Sequence, residues 1–147
     1  MANEIMGGIY DHLLDQKSRI SIPSQLRRTL GETFYLTFSD KKCLEGYTED
    51  AYKKISDELD EIDPDEGLFW RANSVPCKID AQGRAFIPQD FRDGIGLGTD
   101  VTIVGNGSMI QFWNTDEWRS VNAANRTPEK YAETKKRLRE LREQKRK

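Results

Sequence analysis

The sequence predicts a mainly β protein with short helices, an α+β fold made of two ββαββ repeats. One short frame occurs twice, at residues 15–28 and 80–93, and both copies read Asp-x-x-small-Arg-x-x-Ile-Pro-x-x-apolar-Arg. Apolar and polar residues alternate on both sides of each copy, as is typical of strands, and a longer helical period separates the copies. Since 147 residues correspond to about one domain, two half-size repeats are expected to share a core.

The first repeat is predicted to contain four strands and one short helix. Pro23 fits the first turn of a helix, where its missing N–H costs nothing, and Gly31 suits the position after the last turn. The returning strand after the first turn alternates polar and β-branched residues. The predicted strands are 9–14, 19–22, 33–38 and 43–47, and the predicted helix is 25–30.

A longer helix is predicted between the repeats, over residues 49–62, because its apolar residues recur at spacings of three and four. The Asp-Pro-Asp-Glu-Gly run at 63–67 is expected to break it, and 68–72 reads as a short helical or irregular link.

The second repeat is predicted to follow the same order as the first. Asn106-Gly107 is a good hairpin signal between its last two strands. The predicted strands are 75–79, 84–87, 101–104 and 109–113, and the short helix is 88–94. Beyond it, Pro128 is expected to open a basic helix that continues to the end of the sequence.

These elements divide the chain into four predicted parts. They are a first domain at 8–53, a helical linker at 54–73, a second domain at 74–119 and a basic helix or tail at 120–147.

Charge is segregated along the chain although its net value is only −2. Residues 48–66 hold nine carboxylates against two lysines, whereas residues 128–147 hold nine Lys/Arg against four Glu. A basic surface able to bind a polyanion therefore remains possible despite the acidic total.

The sequence offers little for catalysis, metal binding or a cofactor. Its one histidine, His12, lies within a predicted apolar strand, and no metal-ligand, nucleotide or nucleophile motif is present. Cys43 and Cys77 belong to no ligand cluster and are expected to be reduced thiols. Without a signal pattern or a membrane-length apolar run, we expect a soluble cytoplasmic protein that is not an enzyme.

The repeated turn has defined backbone requirements. Asp15 and Asp80 are placed to accept hydrogen bonds from backbone N–H groups two residues on, which would fix each turn. Ser18 and Gly83 occupy the position that needs a positive φ, which glycine adopts more readily than serine.

The side chains that leave these turns suit nucleic acid. Arg19 and Arg84 would each emerge at a fixed place with a five-donor fork that fits phosphate or the O6/N7 edge of guanine. Lys17 and Gln82 add further donors at matched positions. The alternative is that each Asp–Arg pair is only an ion pair within its turn, which contributes little at a surface. Two copies at one place in a shared frame favour a functional role, since many other sequences would meet a purely structural need.

These residues resemble the MraZ family of bacterial transcriptional regulators, which consist of two SpoVT-AbrB domains. The resemblance extends over roughly residues 5–120. It rests on Asp15-Gln-Lys-Ser-Arg19…Ile22-Pro23, on Asp80-Ala-Gln-Gly-Arg84…Ile87-Pro88, and on the aromatic pairs Tyr47/Tyr52 and Trp113/Trp118 that close each half.

The resemblance implies a pseudo-symmetric swapped-hairpin β-barrel that assembles into a ring-shaped homo-oligomer. It also implies binding to direct repeats in the promoter of the division and cell-wall gene cluster, usually as a repressor, and association with the nucleoid. Family DNA contact is assigned to the Asp-x-x-x-Arg turns, so Arg19 and Arg84 inherit that role. Ser18 departs from the family pattern, which usually has glycine there.

The alternative function is a structural or protein-interaction module without specific DNA binding. In that case the repeated turns would serve assembly, and the basic C-terminal helix would bind a partner protein. Both functions predict oligomers, so DNA binding is the property that separates them.

Overall fold

The computed structural model describes residues 5–147. The chain forms two compact units, one that extends to Thr115 and one that comprises Asp116–Lys147. The strands of the described chain all lie in the first unit. No helix within residues 5–147 is both long and apolar enough to cross a membrane.

The elements follow the predicted order. The first repeat and linker comprise β1 (Ile9–Leu13), β2 (Arg19–Ser21), α1 (Ser24–Leu30), β3 (Thr33–Phe38), β4 (Cys43–Thr48), α2 (Glu49–Ile62) and α3 (Pro64–Ala72). The remainder comprises β5 (Val75–Lys78), β6 (Arg84–Phe86), α4 (Gln89–Ile95), β7 (Asp100–Asn106), β8 (Met109–Asn114), α5 (Thr115–Asn125) and α6 (Pro128–Arg146).

The strands of the two repeats interleave. A six-stranded antiparallel sheet has the order β1-β7-β8-β4-β3-β5, and β2 pairs with β6 in a separate two-stranded ladder. The predicted α+β class and the two repeats are therefore confirmed. The six-stranded sheet is not closed, because β1 and β5 form its two edges instead of pairing. The β-barrel implied by the resemblance is thus not closed by hydrogen bonds between β1 and β5.

The returning strands pair differently from simple hairpins. β2 does not run back along β1; it pairs with β6, while β1 pairs with β7 and β5 pairs with β3. Each turn is closed by backbone bonds at its base, Asp15 N–H to Arg19 O at 2.9 Å and Asp80 N–H to Arg84 O at 2.9 Å. After each turn, the chain continues into a short strand that pairs with a strand of the other repeat.

A pseudo-two-fold axis relates the repeats. Exchanging β1 with β5, β3 with β7 and β4 with β8 reproduces the same strand order read backwards. Two residue pairs lie at the centre, Ile20 opposite Ala85 and Glu45 opposite Gln111. Neither repeat can complete its ladders without the other.

The core contains the apolar positions of both frames. Ile22, Leu26, Ile87 and Phe91 are at most 3% exposed. Burying a side chain of this size contributes about 1.5–3 kcal/mol. The strand, proline and short helix of each frame therefore hold the turn that precedes them in place.

The aromatic pairs near the end of each repeat are mostly buried. Tyr47, Tyr52 and Trp113 are less than 10% exposed, and Trp118 is half-buried. Tyr47 donates to Glu45 Oε1 at 2.7 Å, and its counterpart Trp113 donates through Nε1 to Gln111 Oε1 at 3.0 Å. These matched contacts extend the repeat beyond the turn motif.

The two cysteines are both buried and form no disulfide. Burial raises the pKa of the Cys43 thiol to about 11 and the pKa of the Cys77 thiol to about 12. Both therefore stay protonated at neutral pH.

The linker is more helical than expected. Helix 49–62 is confirmed, but the run at 63–67 does not separate it from an irregular segment. Instead Asp63 caps a second helix by accepting from Asp65 N–H at 2.9 Å, with Pro64 at the first helical position. Pro64 thus starts α3 as well as ending α2.

Candidate nucleic-acid interface

The first turn, residues 15–18, is held by one carboxylate. Asp15 Oδ1 accepts from the backbone N–H groups of Lys17 and Arg19, both at 2.9 Å, and Asp15 O accepts from Ser18 N–H at 3.0 Å. Ser18 has a φ of 60°, a left-handed conformation that side chains rarely adopt.

The second turn, residues 80–83, repeats this geometry. Asp80 Oδ1 accepts from the backbone N–H groups of Gln82 and Arg84, again both at 2.9 Å, and Asp80 O accepts from Gly83 N–H at 2.9 Å. Gly83 has a φ of 79°. The two turns thus have the same backbone conformation although their sequences differ.

The two turns lie side by side. Ile22 N–H donates to Gly83 O at 2.8 Å, and Ile87 N–H donates to Ser18 O at 3.0 Å. The antiparallel β2–β6 ladder also places Arg84 opposite Ser21. The structure therefore combines the two predicted turns into one site.

The two arginines are fixed by the carboxylates of the turns. Arg19 Nε donates to Asp15 Oδ2 at 3.0 Å, and Arg84 Nε lies 3.5 Å from Asp80 Oδ2. Arg84 also crosses between the turns, since its Nη1 lies 3.6 Å from Asp15 Oδ2. Its Nη2 donates to Gln82 Oε1. Both arginine side chains retain more than a quarter of their exposure, 29% for Arg19 and 27% for Arg84.

The carboxylates remain ionised to low pH. The backbone N–H of Arg19, followed by that of Lys17 and by the guanidinium, lowers the pKa of Asp15. The backbone N–H of Arg84 does the same for the pKa of Asp80, with smaller contributions from Gln82 N–H and from the charges of Arg84 and Arg19. Each turn therefore holds an ionised aspartate and, beside it, an arginine whose position that aspartate fixes.

Five of the eight predicted residues line one of two adjoining grooves, whereas Ser18, Gln82 and Gly83 line neither. The groove between the turns, here the turn groove, is lined by Asp15, Gln16, Lys17, Arg19 and Arg84. Guanidinium and ammonium groups in such a groove can donate to phosphate oxygens or to base edges.

The second groove flanks the second turn and is here the flanking groove. It is lined by Arg27, Arg28, Gly31, Glu32, Lys78, Ile79, Asp80 and Ala81. Sequence reasoning did not assign its three basic residues to the site. The repeated frame includes Arg27 and its counterpart Arg92, but their position in the frame does not show which turn they approach.

Comparison with known proteins supports the resemblance. The family model described as "MraZ protein, putative antitoxin-like" matches residues 5–72 and 68–140. The chain belongs to the MraZ family.

Three curated MraZ relatives show how much of the chain is shared. The Transcriptional regulator MraZ of Dictyoglomus turgidum is 34% identical over 140 residues, which cover 91% of this chain and 96% of that relative. The protein of the same name from Dictyoglomus thermophilum is 33% identical over the same shares. That from Alkaliphilus metalliredigens is 34% identical over 121 residues, which cover 78% of this chain and 85% of that relative.

Proposed function

We propose that this chain is a sequence-specific, DNA-binding transcriptional regulator and that its paired turns contact double-stranded DNA. The observation that carries the proposal is the joining of both Asp-x-x-x-Arg turns into one site by the Ile22–Gly83 and Ile87–Ser18 hydrogen bonds. Its relatives in the MraZ family are named transcriptional regulators.

The ion pairs of the turns are compatible with DNA contact. Arg19 uses Nε for Asp15, and within residues 5–147 its two Nη groups make no hydrogen bond or ion pair. A guanidinium held in this way has lost much of its rotamer freedom before a ligand arrives, which reduces the entropic cost of binding. Asp15 therefore orients Arg19 as well as partly neutralising it.

The fuller proposal concerns assembly. One turn pair with few cations binds DNA weakly, whereas a ring of copies on promoter direct repeats gains avidity from linked sites. Neighbouring copies would contact repeats about one helical turn, or about 10 bp, apart. We propose that the chain acts in this form as a repressor of the division and cell-wall gene cluster, in association with the nucleoid. The four-part division at residues 8–53, 54–73, 74–119 and 120–147 is part of this proposal.

A titration of promoter DNA tests the proposal. Arg19→Ala and Arg84→Ala should each weaken binding by about 1–3 kcal/mol for a lost base contact, which is about 5- to 150-fold. Fluorescence anisotropy at fixed salt measures the change. Lys41→Ala is the control, because Lys41 is 59% exposed and follows the end of β3 that is remote from the second turn. Unchanged binding by the double arginine variant would contradict the proposal.

A protein-interaction module is the second candidate, and one observation favours it. Leu68 is 52% exposed and Phe69 65% exposed on α3, so the monomer presents apolar surface that a partner could cover. This function predicts assembly without DNA binding, and the same titration distinguishes it.

A further inference from the structure

The flanking groove has a counterpart on the other side of the pseudo-two-fold axis. Ile79 N–H donates to Glu32 O at 2.8 Å beside the second turn, and Leu14 N–H donates to Thr99 O at 2.9 Å beside the first. The register agrees, because Lys78 lies opposite Thr33 and its counterpart Leu13 lies opposite Asp100. The backbone therefore forms the same recess twice.

The side chains of the two recesses differ in charge. The matched positions, second-turn side first, are Arg27 and Arg92, Arg28 and Asp93, Lys78 and Leu13, and Glu32 and Thr99. These four positions carry three cations and one anion beside the second turn, but one cation and one anion beside the first. The excess of positive charge is confined to one side.

The matched arginines also differ in their contacts. Arg92 donates through Nε to Ile87 O at 3.0 Å and so binds the backbone of its own repeat. Arg27 reaches instead across the repeats to the second turn, where a Cβ added to Gly83 would lie 2.9 Å from its Cζ. Within residues 5–147, neither the Arg27 side chain nor the Lys78 side chain makes a hydrogen bond or an ion pair. Both charges are available to an anion.

We propose that Arg27 and Lys78 bind a DNA backbone phosphate beside the second turn alone, so that the pseudo-symmetric turn pair binds its DNA element in one orientation. This inference rests on the proposed function. The flanking groove adjoins the turn groove through the Asp80–Arg84 ion pair, so a duplex contacted by Arg84 continues past Arg27. Phosphate contacts set the register and orientation of a protein on DNA.

The tips of the turns strengthen this polarity. Lys17 stands at the tip of the first turn, and its counterpart on the second turn is the neutral Gln82. The first turn thus has its additional cation at the tip, and the second turn has its additional cations at the flank. A protein with true two-fold symmetry fits a palindrome, whereas a polar site fits an element with a direction, such as a direct repeat.

Salt dependence provides the first test. Each phosphate contact contributes about 0.9 to the slope of log K against log salt for duplex DNA. R27Q/K78Q should therefore lower the magnitude of the wild-type slope by about 1, while Leu13→Lys, which adds a cation on the other side, should raise it by up to about 1. Far-UV circular dichroism and a thermal melt check folding.

Orientation provides the second test. An iron chelate attached to Ser24→Cys on α1 marks the second-turn side of the site, and the buried Cys43 and Cys77 should not react in the folded protein. With Ser24→Cys as the only substitution, DNA should be cleaved on one side of each repeat. Adding R27Q/K78Q should shift part of the cleavage to the other side, while Lys17 retains some of the polarity.

The outcomes separate the inference from the proposed function. A wild-type protein that does not bind promoter repeats overturns both. Wild-type binding with an unchanged slope and one-sided cleavage in R27Q/K78Q overturns the phosphate site alone. Arg19→Ala is the comparison variant, because it should weaken binding while cleavage stays one-sided.

Discussion

At the scale of single residues, the two turns share a backbone shape but differ in how well one position suits it. Ser18 and Gly83 have φ values of 60° and 79°, and Ser18 is the non-glycine residue with positive φ in the described chain. A left-handed conformation costs a non-glycine residue about 1–2 kcal/mol. The first turn therefore stores strain that the second does not.

Exchanging the residue at this position should change stability in opposite directions. Ser18→Gly should raise the free energy of unfolding by about 0.5–1 kcal/mol, because relief of strain exceeds the added entropy of the unfolded chain. Gly83→Ala should lower it by about 1–2 kcal/mol and displace the Arg27 guanidinium. Urea denaturation measures both. Gly98→Ala is the control, since φ at Gly98 is not positive and an added Cβ would meet Asn114 Nδ2 only at 3.9 Å.

The turn carboxylates should make stability depend on pH in the acid range. Asp15 and Asp80 have pKa values below the reference of 3.8 in the folded protein, so the unfolded chain takes up protons first as pH falls. Their contribution is complete above about pH 4 and is lost as pH falls through the lowered folded pKa. D15N/D80N should flatten the dependence of the unfolding free energy on pH below about 4. An equally steep loss in that variant would assign the effect to other groups.

The sequence predicted the candidate-site residues that lie in the two turns, but not the basic residues of the flanking groove. The repeated frame identified the positions of the aspartate, the small residue and the arginine in each turn, because these residues fix the shape of the turn within five residues of sequence. Lys78 lies two residues before Asp80, but Arg27 comes from the first repeat and reaches the second turn through contacts between the repeats. Sequence spacing alone does not encode contacts of that kind.

At the scale of elements, periodicity in the sequence predicted which face of each strand and helix is buried better than it predicted which strands pair. Alternation located the strands, and the apolar stripe gave the bounds of α2. Pairing of β1 with β7 is a long-range choice, since both hairpin and swapped arrangements bury the same faces. The run at 63–67 predicts a break as readily as a new helix, because Asp and Pro occur at both ends of helices. In the structure the Asp63 cap decides for a new helix.

Helix α3 carries apolar surface that we expect to be covered by a second copy. The corner formed by residues 57–66 carries seven carboxylates and no Lys or Arg, whereas α6 is basic, and its Tyr131, Leu138 and Leu141 are exposed. Complementary charge and exposed apolar residues on both elements favour contact between α6 of one copy and the α2–α3 corner of another.

Polar substitution on α3 should therefore reduce assembly. Leu68→Ser with Phe69→Ser should lower the mass measured by light scattering during size-exclusion chromatography, while the circular dichroism spectrum is retained. Leu13→Ser is a matched control, because Leu13 and Phe69 are both 65% exposed. A full-size oligomer in the α3 variant would place the interface elsewhere.

At the scale of the whole molecule, the interleaved strands make the repeats mutually dependent. β2 pairs only with β6, and β1 and β5 each pair with a strand of the other repeat. Half a chain lacks these ladder partners and buries too little surface to be stable alone.

Separated halves should consequently fold together and not singly. Fragments 1–73 and 74–147, expressed apart, should each show poorly dispersed amide signals in NMR spectra, and equimolar mixing should restore dispersed β-sheet signals. Native-like dispersion in either fragment as a monomer would show that one repeat is self-sufficient.

Covalent linkage of the two repeats has a consequence for how the protein responds to dilution. If two identical half-length chains formed the same ladders, they would separate at low concentration and unfold together. In one chain the halves remain at a high, fixed effective concentration, so folding does not depend on how much protein is present. Each half is also free to accumulate its own changes, such as serine in one turn and glycine in the other. In the proposed ring, the number of associated copies could then change with protein concentration while every subunit stays folded.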